Sequence, residues 1–333
     1  MTTRPAQAPA ARQGDETVNL DQQIRDAEAR LFMRSGLQPE ESFVDLSSAQ
    51  ARLRVLSVGT GPPLLMLHGV SLAAAVWAPW LAEFAGYRVL LVELPGHGLS
   101  GPVAYRRGAV RDHTLRLMDD LLDALGLATA PVVGHSLGGM FALWYAAARP
   151  GRIASLVAIG DPAVALPGAT VRMPLSLLTV PVLGEAVLRS PAPRRVYRRL
   201  LGQGLSPAAA AAAPDELLDV LRFAARRPGN ARTVASLMHA IDGFRRPRAD
   251  NVMSGAELGS ITAPTMFCWG TSDPFLAPAQ ARPAIAKIPG AVLQEVPGGH
   301  GPWLEDPAGC ARLTTGHLAA TGFAAAVEPS ENR

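Results

Sequence analysis

Ser136 lies at the centre of Gly134-His135-Ser136-Leu137-Gly138, with the apolar run Ala130-Pro131-Val132-Val133 before it and a helix-like stretch, 139–146, after it. A serine in a G-x-S-x-G turn between strand and helix is a nucleophile elbow. The chain reverses so sharply there that its backbone is strained. The positions two before and two after the serine come too close to carry side chains, a demand that Gly134 and Gly138 meet. The chemistry open to such a serine is attack on a carbonyl carbon. A hydroxyl does this only when a neighbouring base takes its proton and an acid fixes the tautomer of that base.

Both partners follow in the chain order serine, acid, base. The strand-like segment 264–270 ends in Thr271-Ser272-Asp273-Pro274, a polar turn that sets Asp273 at the carboxyl edge of a sheet as the acid. A second such segment, 291–296, runs into Pro297-Gly298-Gly299-His300, which makes His300 the base. Asp161, at the end of the strand-like 155–160, competes for the role of acid one strand earlier. Of the seven histidines, His68, His97 and His135 sit inside turns, and His113, His239 and His317 fall in helix-like stretches; these six read as structural or solvated. Acyl transfer also needs donors aimed at the developing oxyanion. The apolar 64–67 runs into His68-Gly69-Val70-Ser71, where Gly69 lets the chain pass close to the elbow, so the backbone N–H groups of Val70 and Leu137 are the expected oxyanion hole. Leu137 also opens a helix, whose dipole adds to its effect.

Taken together, these segments resemble the α/β-hydrolase superfamily, in its branch of lid-bearing esterase-like serine hydrolases. The resemblance rests on Leu67-His68-Gly69 with Trp77 following, Glu93-Leu94-Pro95-Gly96-His97-Gly98-Leu99-Ser100, Gly134-His135-Ser136-Leu137-Gly138-Gly139, Trp269-Gly270-Thr271-Ser272-Asp273, and Gly299-His300 with Glu305-Asp306-Pro307. It runs from about residue 43 to 323, apart from the middle. Glu93 stands where relatives usually carry Asp, in a turn expected to be structural. Because position 136 is serine, the resemblance disfavours the epoxide hydrolases and haloalkane dehalogenases of this fold, which attack with a carboxylate.

Positioning such residues takes an α/β architecture: a mostly parallel sheet of about eight strands with helices on both faces. Strands are expected at 43–46 and 52–58 as an antiparallel start, then at 64–67, 88–92, 130–133, 155–159, 265–269 and 291–296. Helices at 111–125 and 139–148 separate members of the parallel set, and the site then lies at the carboxyl ends of the strands. After Asp161 the alternation stops. Helix-like pieces at 175–189, 194–201, 208–213, 216–226 and 231–241, punctuated by prolines, form an inserted helical cap over the site. Leu175, Leu177, Leu178, Val180, Val182, Leu183 and Val187 make its first piece apolar nearly all round, which predicts burial against the sheet and a dry pocket. Arg194, Arg195, Arg198 and Arg199 read as a solvated helix face in preference to an anion clamp, and Met140 as core.

The resulting division is a disordered tail over 1–18, a first core part with an N-terminal helix over 19–161, the cap over 162–261, a second core part over 262–325 and a tail over 326–333. Asn19 is the expected cap of the N-terminal helix, with Ile24, Ala27, Leu31 and Phe32 on its buried face. The chain has 333 residues, 48% of them hydrophobic, and a net charge of +3, with arginines spread through helices and no aromatic interleaving. No nucleic-acid partner is implied. No stretch has the length and character of a membrane span, and the opening residues lack the apolar core of a signal peptide. With two cysteines, Cys268 and Cys310, well separated in sequence, the expectation is a cytoplasmic protein with free thiols, no cofactor and no metal, its partner being a small molecule with an apolar part. The oligomeric state is left open. Hydrolysis of an ester, thioester or lactone is the expected reaction. The resemblance also allows carbon–carbon bond hydrolysis of diketones or cofactor-free perhydrolysis. Readings from other classes are a biosynthetic lyase or cyclase that uses the Ser–His pair for proton transfer, and a ligand-binding receptor with vestigial turnover.

Overall fold

Eight strands form one sheet in the order β1-β2-β4-β3-β5-β6-β7-β8. The computed structural model describes residues 9–170, 175–243 and 246–326. β1 (Glu40–Leu46) and β2 (Ala51–Val58) are antiparallel to each other, and β2 is antiparallel to β4 (Arg88–Val92). β3 (Pro63–Leu67), β4, β5 (Ala130–His135), β6 (Ile153–Ile159), β7 (Thr265–Gly270) and β8 (Val292–Val296) are parallel. Both faces are covered, so the central strands are mostly apolar, and every residue of β5 and β7 is buried.

One N-terminal expectation is corrected. The first helix, α1 (Pro9–Met33), begins well inside the segment 1–18 expected to be a tail, and Asn19 lies within it instead of capping it. Pro9 suits the first helical position, and the Ala, Arg, Gln and Glu residues after it are good helix formers. Residues 1–8 and 327–333 lie outside the described residues. Ile24, Ala27, Leu31 and Phe32 are buried as their spacing predicts. The inner face also carries Glu28, which accepts from Arg54 of β2 at 2.7 Å. Arg54 meets Glu93 and Glu41 too, and these carboxylates hold its guanidinium charged in spite of burial.

α2 (Val110–Ala124) and α3 (Leu137–Ala148) fall close to their expected positions. Between β3 and β4 the chain forms a 3-10 helix, Ala74–Phe84, whose Trp77 and Trp80 are fully buried beside Trp303. Between β6 and β7 come a 3-10 turn, Leu175–Thr179, and the helices α4 (Pro181–Arg189), α5 (Arg194–Gly204), α6 (Pro207–Ala212), α7 (Asp215–Arg226), α8 (Pro228–Ile241) and the short α9 (Gly255–Gly259). α10 (Pro278–Ile285) and α11 (Pro307–Ala320) complete the chain.

The first piece of this insertion is less buried than its composition predicts. Leu178 is buried, but Val182 is 84% exposed, and Val180, Leu183 and Val187 are between 40% and 45% exposed. α4 packs one face on α8 and leaves the other outward. Arg194 pairs with Asp215 and Asp219, and Arg198 with Asp215 and the carbonyls of Ala210 and Ala213, so these side chains brace α5 against α6 and α7. Cys268 and Cys310 are free and buried, with their sulfurs 3.9 Å apart. Among the described residues no helix is long and apolar enough to cross a membrane.

Candidate active site

β5 runs into α3 through Ser136, whose φ of +51° is the left-handed value that a sharp strand-to-helix reversal imposes. Only glycine fits on either side. A Cβ on Gly134 would come within 2.7 Å of the backbone of Gly138 and Gly139, and one on Gly138 within 2.3 Å of the Leu67 carbonyl oxygen. Ser136 is 8% exposed and faces two cavities.

His300 follows β8 and Asp273 follows β7, and the fold brings them together. His300 Nδ1 donates to Asp273 Oδ2 at 2.7 Å, which leaves Nε2 as the basic nitrogen. Asp273 Oδ2 also accepts the Asp161 backbone N–H at 2.9 Å, and Oδ1 accepts the Phe275 N–H at 3.0 Å. Burial pushes the Asp273 carboxyl up, but His300 and these N–H donors outweigh it, and its pKa lies below the ordinary carboxylate value. The carboxylate beside His300 is therefore Asp273. Asp161, its competitor, contributes a backbone N–H to Asp273 and is a lining residue of the cavity beside Ser136.

The segment after β3 is fixed by two imidazoles. His68 Nδ1 donates to the Gly69 carbonyl at 2.8 Å and its Nε2 accepts the Leu94 N–H; His97 Nδ1 donates to the Pro95 carbonyl and its Nε2 accepts the Ser71 N–H at 3.0 Å. Burial lowers their pKa values to about 3 and about 4, so both act as neutral struts. A Cβ on Gly69 would lie 2.6 Å from His135 Nδ1 and 3.2 Å from Ser136 Cβ, which shows how closely this loop approaches the elbow. Val70, Ser136 and Leu137 share one cavity wall. His135 donates from Nε2 to the His300 carbonyl at 3.0 Å and packs its ring on Trp303.

Two features escaped the motif reading. At the end of β6, Gly160 has φ of +65°, and a Cβ there would meet the His300 carbonyl at 2.6 Å and His300 Nδ1 at 2.9 Å. Its signal was a glycine directly after an apolar strand. The other is Asp242, at the end of α8, for which the sequence carries no motif.

The larger cavity, about 190 Å³, reaches from Ser136 and His300 into the helical insertion, against Leu178, Tyr197, Leu201, Leu205 and Leu221. The smaller, about 60 Å³, opens from Ser136 and Leu137 toward Asp161 and Asp242. Among the described residues, neither lining includes Arg or Lys. Among the described residues no cluster of three or more His, Cys, Asp or Glu is arranged to hold a metal ion. A preorganised serine, an imidazole and a fixed carboxylate beside an apolar cavity can carry out acyl transfer.

Residues 62–307 match a profile of the alpha/beta hydrolase fold. A 2-hydroxy-6-oxononadienedioate/2-hydroxy-6-oxononatrienedioate hydrolase of Cupriavidus pinatubonensis is 30% identical over 263 residues, 75% of this chain and 85% of its own. Carboxylesterase CesB (YbfK) of Bacillus subtilis superposes with a TM-score of 0.69 at 20% identity, covering 91% of this chain and 99% of that one. A meta-cleavage product hydrolase of Pseudomonas fluorescens IP01 gives 0.65 at 20% identity, covering 84% and 98%. At that identity, what the solved structures share with this chain is the fold.

Proposed function

The chain belongs to the α/β hydrolase fold family, and from that premise we propose that it is a serine hydrolase cleaving an ester, thioester or lactone with a substantial apolar part. The observation that carries the reading is the strained Ser136 on the wall of a cavity it shares with His300, whose other nitrogen is bonded to Asp273. In the proposed reaction His300 Nε2 takes the proton of Ser136, and Oγ attacks the carbonyl carbon. The backbone N–H groups of Val70 and Leu137 hold the oxyanion, each worth about 3 kcal/mol. His300 then protonates the leaving group, and water activated by the same imidazole releases the acyl group from Ser136. The helices between β6 and β7 act as the cap, and their leucines and Tyr197 receive the apolar part.

A second reading is favoured by the name of the Cupriavidus relative, whose substrate is a ketone-bearing dicarboxylic acid. The same serine would then attack a ketone and cleave the adjacent carbon–carbon bond. Against it, the described residues of the cavity linings include no Arg or Lys as counter-charge to two carboxylates.

An active-site-directed fluorophosphonate tests the shared premise. Intact mass is expected to show one adduct per chain, absent in Ser136→Ala, and that variant is expected to lower kcat about 10⁶-fold. A folded protein that takes no adduct, or a loss of less than about ten-fold, would refute Ser136 as nucleophile. Product analysis on simple esters and on ketone-bearing dicarboxylic acids separates the two readings.

A further inference from the structure

The smaller cavity beside Ser136 holds two carboxyl groups that the proposed reaction does not use. Asp161 and Asp242 line it at 1% and 4% exposure, and Oδ1 of each is buried without a hydrogen-bond partner. The rest of the wall is apolar, from Val70, Val164, Met238, Ile241 and Phe275, with Thr170 at the edge. A buried carboxyl oxygen without a partner is costly, and one such atom is uncommon enough to call for a cause. Here two residues that each carry such an oxygen line one small space that opens onto the nucleophile. Charge matters as well, because a carboxylate near the oxyanion hole opposes the developing oxyanion unless a cation neutralises it. Among the described residues, neither cavity lining supplies that cation.

From this arrangement we propose that the Asp161–Asp242 cavity is a subsite for a protonated amino group of the substrate, placed a few bonds from the carbonyl that Ser136 attacks. The proposal rests on the acyl-transfer reading and names a substrate class within it. An ammonium supplies three donors to the two carboxyl groups and restores neutrality beside the oxyanion hole. The cavity of about 60 Å³ suits a small group such as a primary amine on a short alkyl stem.

The protonation states fit this use. Burial, with the neighbouring charges of Asp273 and Asp242, holds the Asp161 carboxyl well above the ordinary range. Asp242 is pushed up to about 7 by burial, partly offset by Arg248. Asp161 is thus an acid that accepts and donates, while Asp242 becomes a carboxylate as pH rises through neutrality. Ammonium binding therefore strengthens from pH 6 to pH 8, a range in which an alkylamine stays protonated. Among the described residues, Arg248 is the charged group that acts against burial on Asp242, while Asp273 and Asp242 act on Asp161.

Direct binding of propylammonium and of 1-propanol, by ligand-observed NMR, tests the subsite without depending on turnover. The wild-type protein is expected to bind propylammonium about 10- to 100-fold more tightly than 1-propanol at pH 8. The preference is expected to shrink toward pH 6 and to be lost in the isosteric Asp242→Asn and Asp161→Asn. Circular dichroism and fluorophosphonate labelling of Ser136 establish that the variants remain folded and competent. Equal binding of the two probes, or a preference that survives both substitutions, would overturn the subsite. In turnover, methyl 3-aminopropanoate is expected to exceed its isostere methyl butanoate in kcat/KM, and the reverse order counts against the proposal. Failure of Ser136 to take the fluorophosphonate refutes the acyl-transfer reading separately, since the probe-binding result stands apart from it.

Discussion

At the scale of single residues, Asp273 illustrates how partners set a role. It holds three donors, the His300 imidazole and the N–H groups of Asp161 and Phe275, and two of them are backbone groups that no side-chain motif announces. Asp273→Asn keeps the shape but offers an amide N–H where His300 needs an acceptor, so the imidazole turns to the wrong tautomer. The expected result is a kcat about 10⁴-fold lower with little change in unfolding midpoint, read by steady-state kinetics and by urea titration. A loss under about ten-fold would transfer the role of acid elsewhere, Asp161 being the alternative the sequence offers. Ser136, Asp273 and His300 were legible because nucleophile chemistry restricts the residue types around each of them. Asp242 was not, since a carboxyl at the end of an ordinary helix looks solvated until the fold buries it at 4% exposure.

At the scale of elements, the site is assembled by what strand ends permit. β6 contributes no side chain to the His300–Asp273 pair, yet Gly160 at its end supplies the space that pair occupies. Gly160→Ala therefore carries a double penalty, a positive φ of +65° and a methyl directed at the His300 backbone and ring. The strand is held by β5 and β7 on either side, so displacement falls on the partner outside the sheet, the histidine loop. A shift of order 1 Å in a catalytic group is expected to lower kcat about 100-fold while fluorophosphonate labelling slows in step. Unchanged kinetics would mean that the loop relaxes without consequence. The parallel strands and α2 and α3 were readable because their apolar runs end in turn residues. The 3-10 helix Ala74–Phe84 and the start of α1 at Pro9 were not, the first because tertiary packing around Trp77 and Trp80 shapes it, the second because Ala- and Pro-rich composition is shared by tails and helix starts.

Across the whole molecule, the helical insertion and the histidine loop are one mechanical unit. The His300 N–H donates to the Leu205 carbonyl at 2.8 Å, where α5 ends, and Glu305 accepts both the Gly299 N–H and the Ser206 hydroxyl. Any molecule that seats against the insertion therefore bears on the position of His300. Which side chains line the cavity was not readable in advance, because α5, α7 and the 3-10 turn at 175–179 meet only through their packing, and the exposed Val182 shows that apolar content alone did not mark the lining. Ala225, on α7, gives a way to test the cavity as the seat of the apolar part. Ala225→Phe adds a ring at the wall of a cavity of about 190 Å³ and leaves Ser136, His300 and Asp273 unsubstituted. Each buried methylene contributes about 0.8 kcal/mol, so denying a long chain two or three of them costs about 2 kcal/mol, or roughly 30-fold. The expected outcome is a 4-nitrophenyl octanoate to acetate ratio of kcat/KM lowered by about that factor, with acetate turnover nearly unchanged. An unaltered ratio would place the chain outside this cavity and detach the insertion from substrate choice.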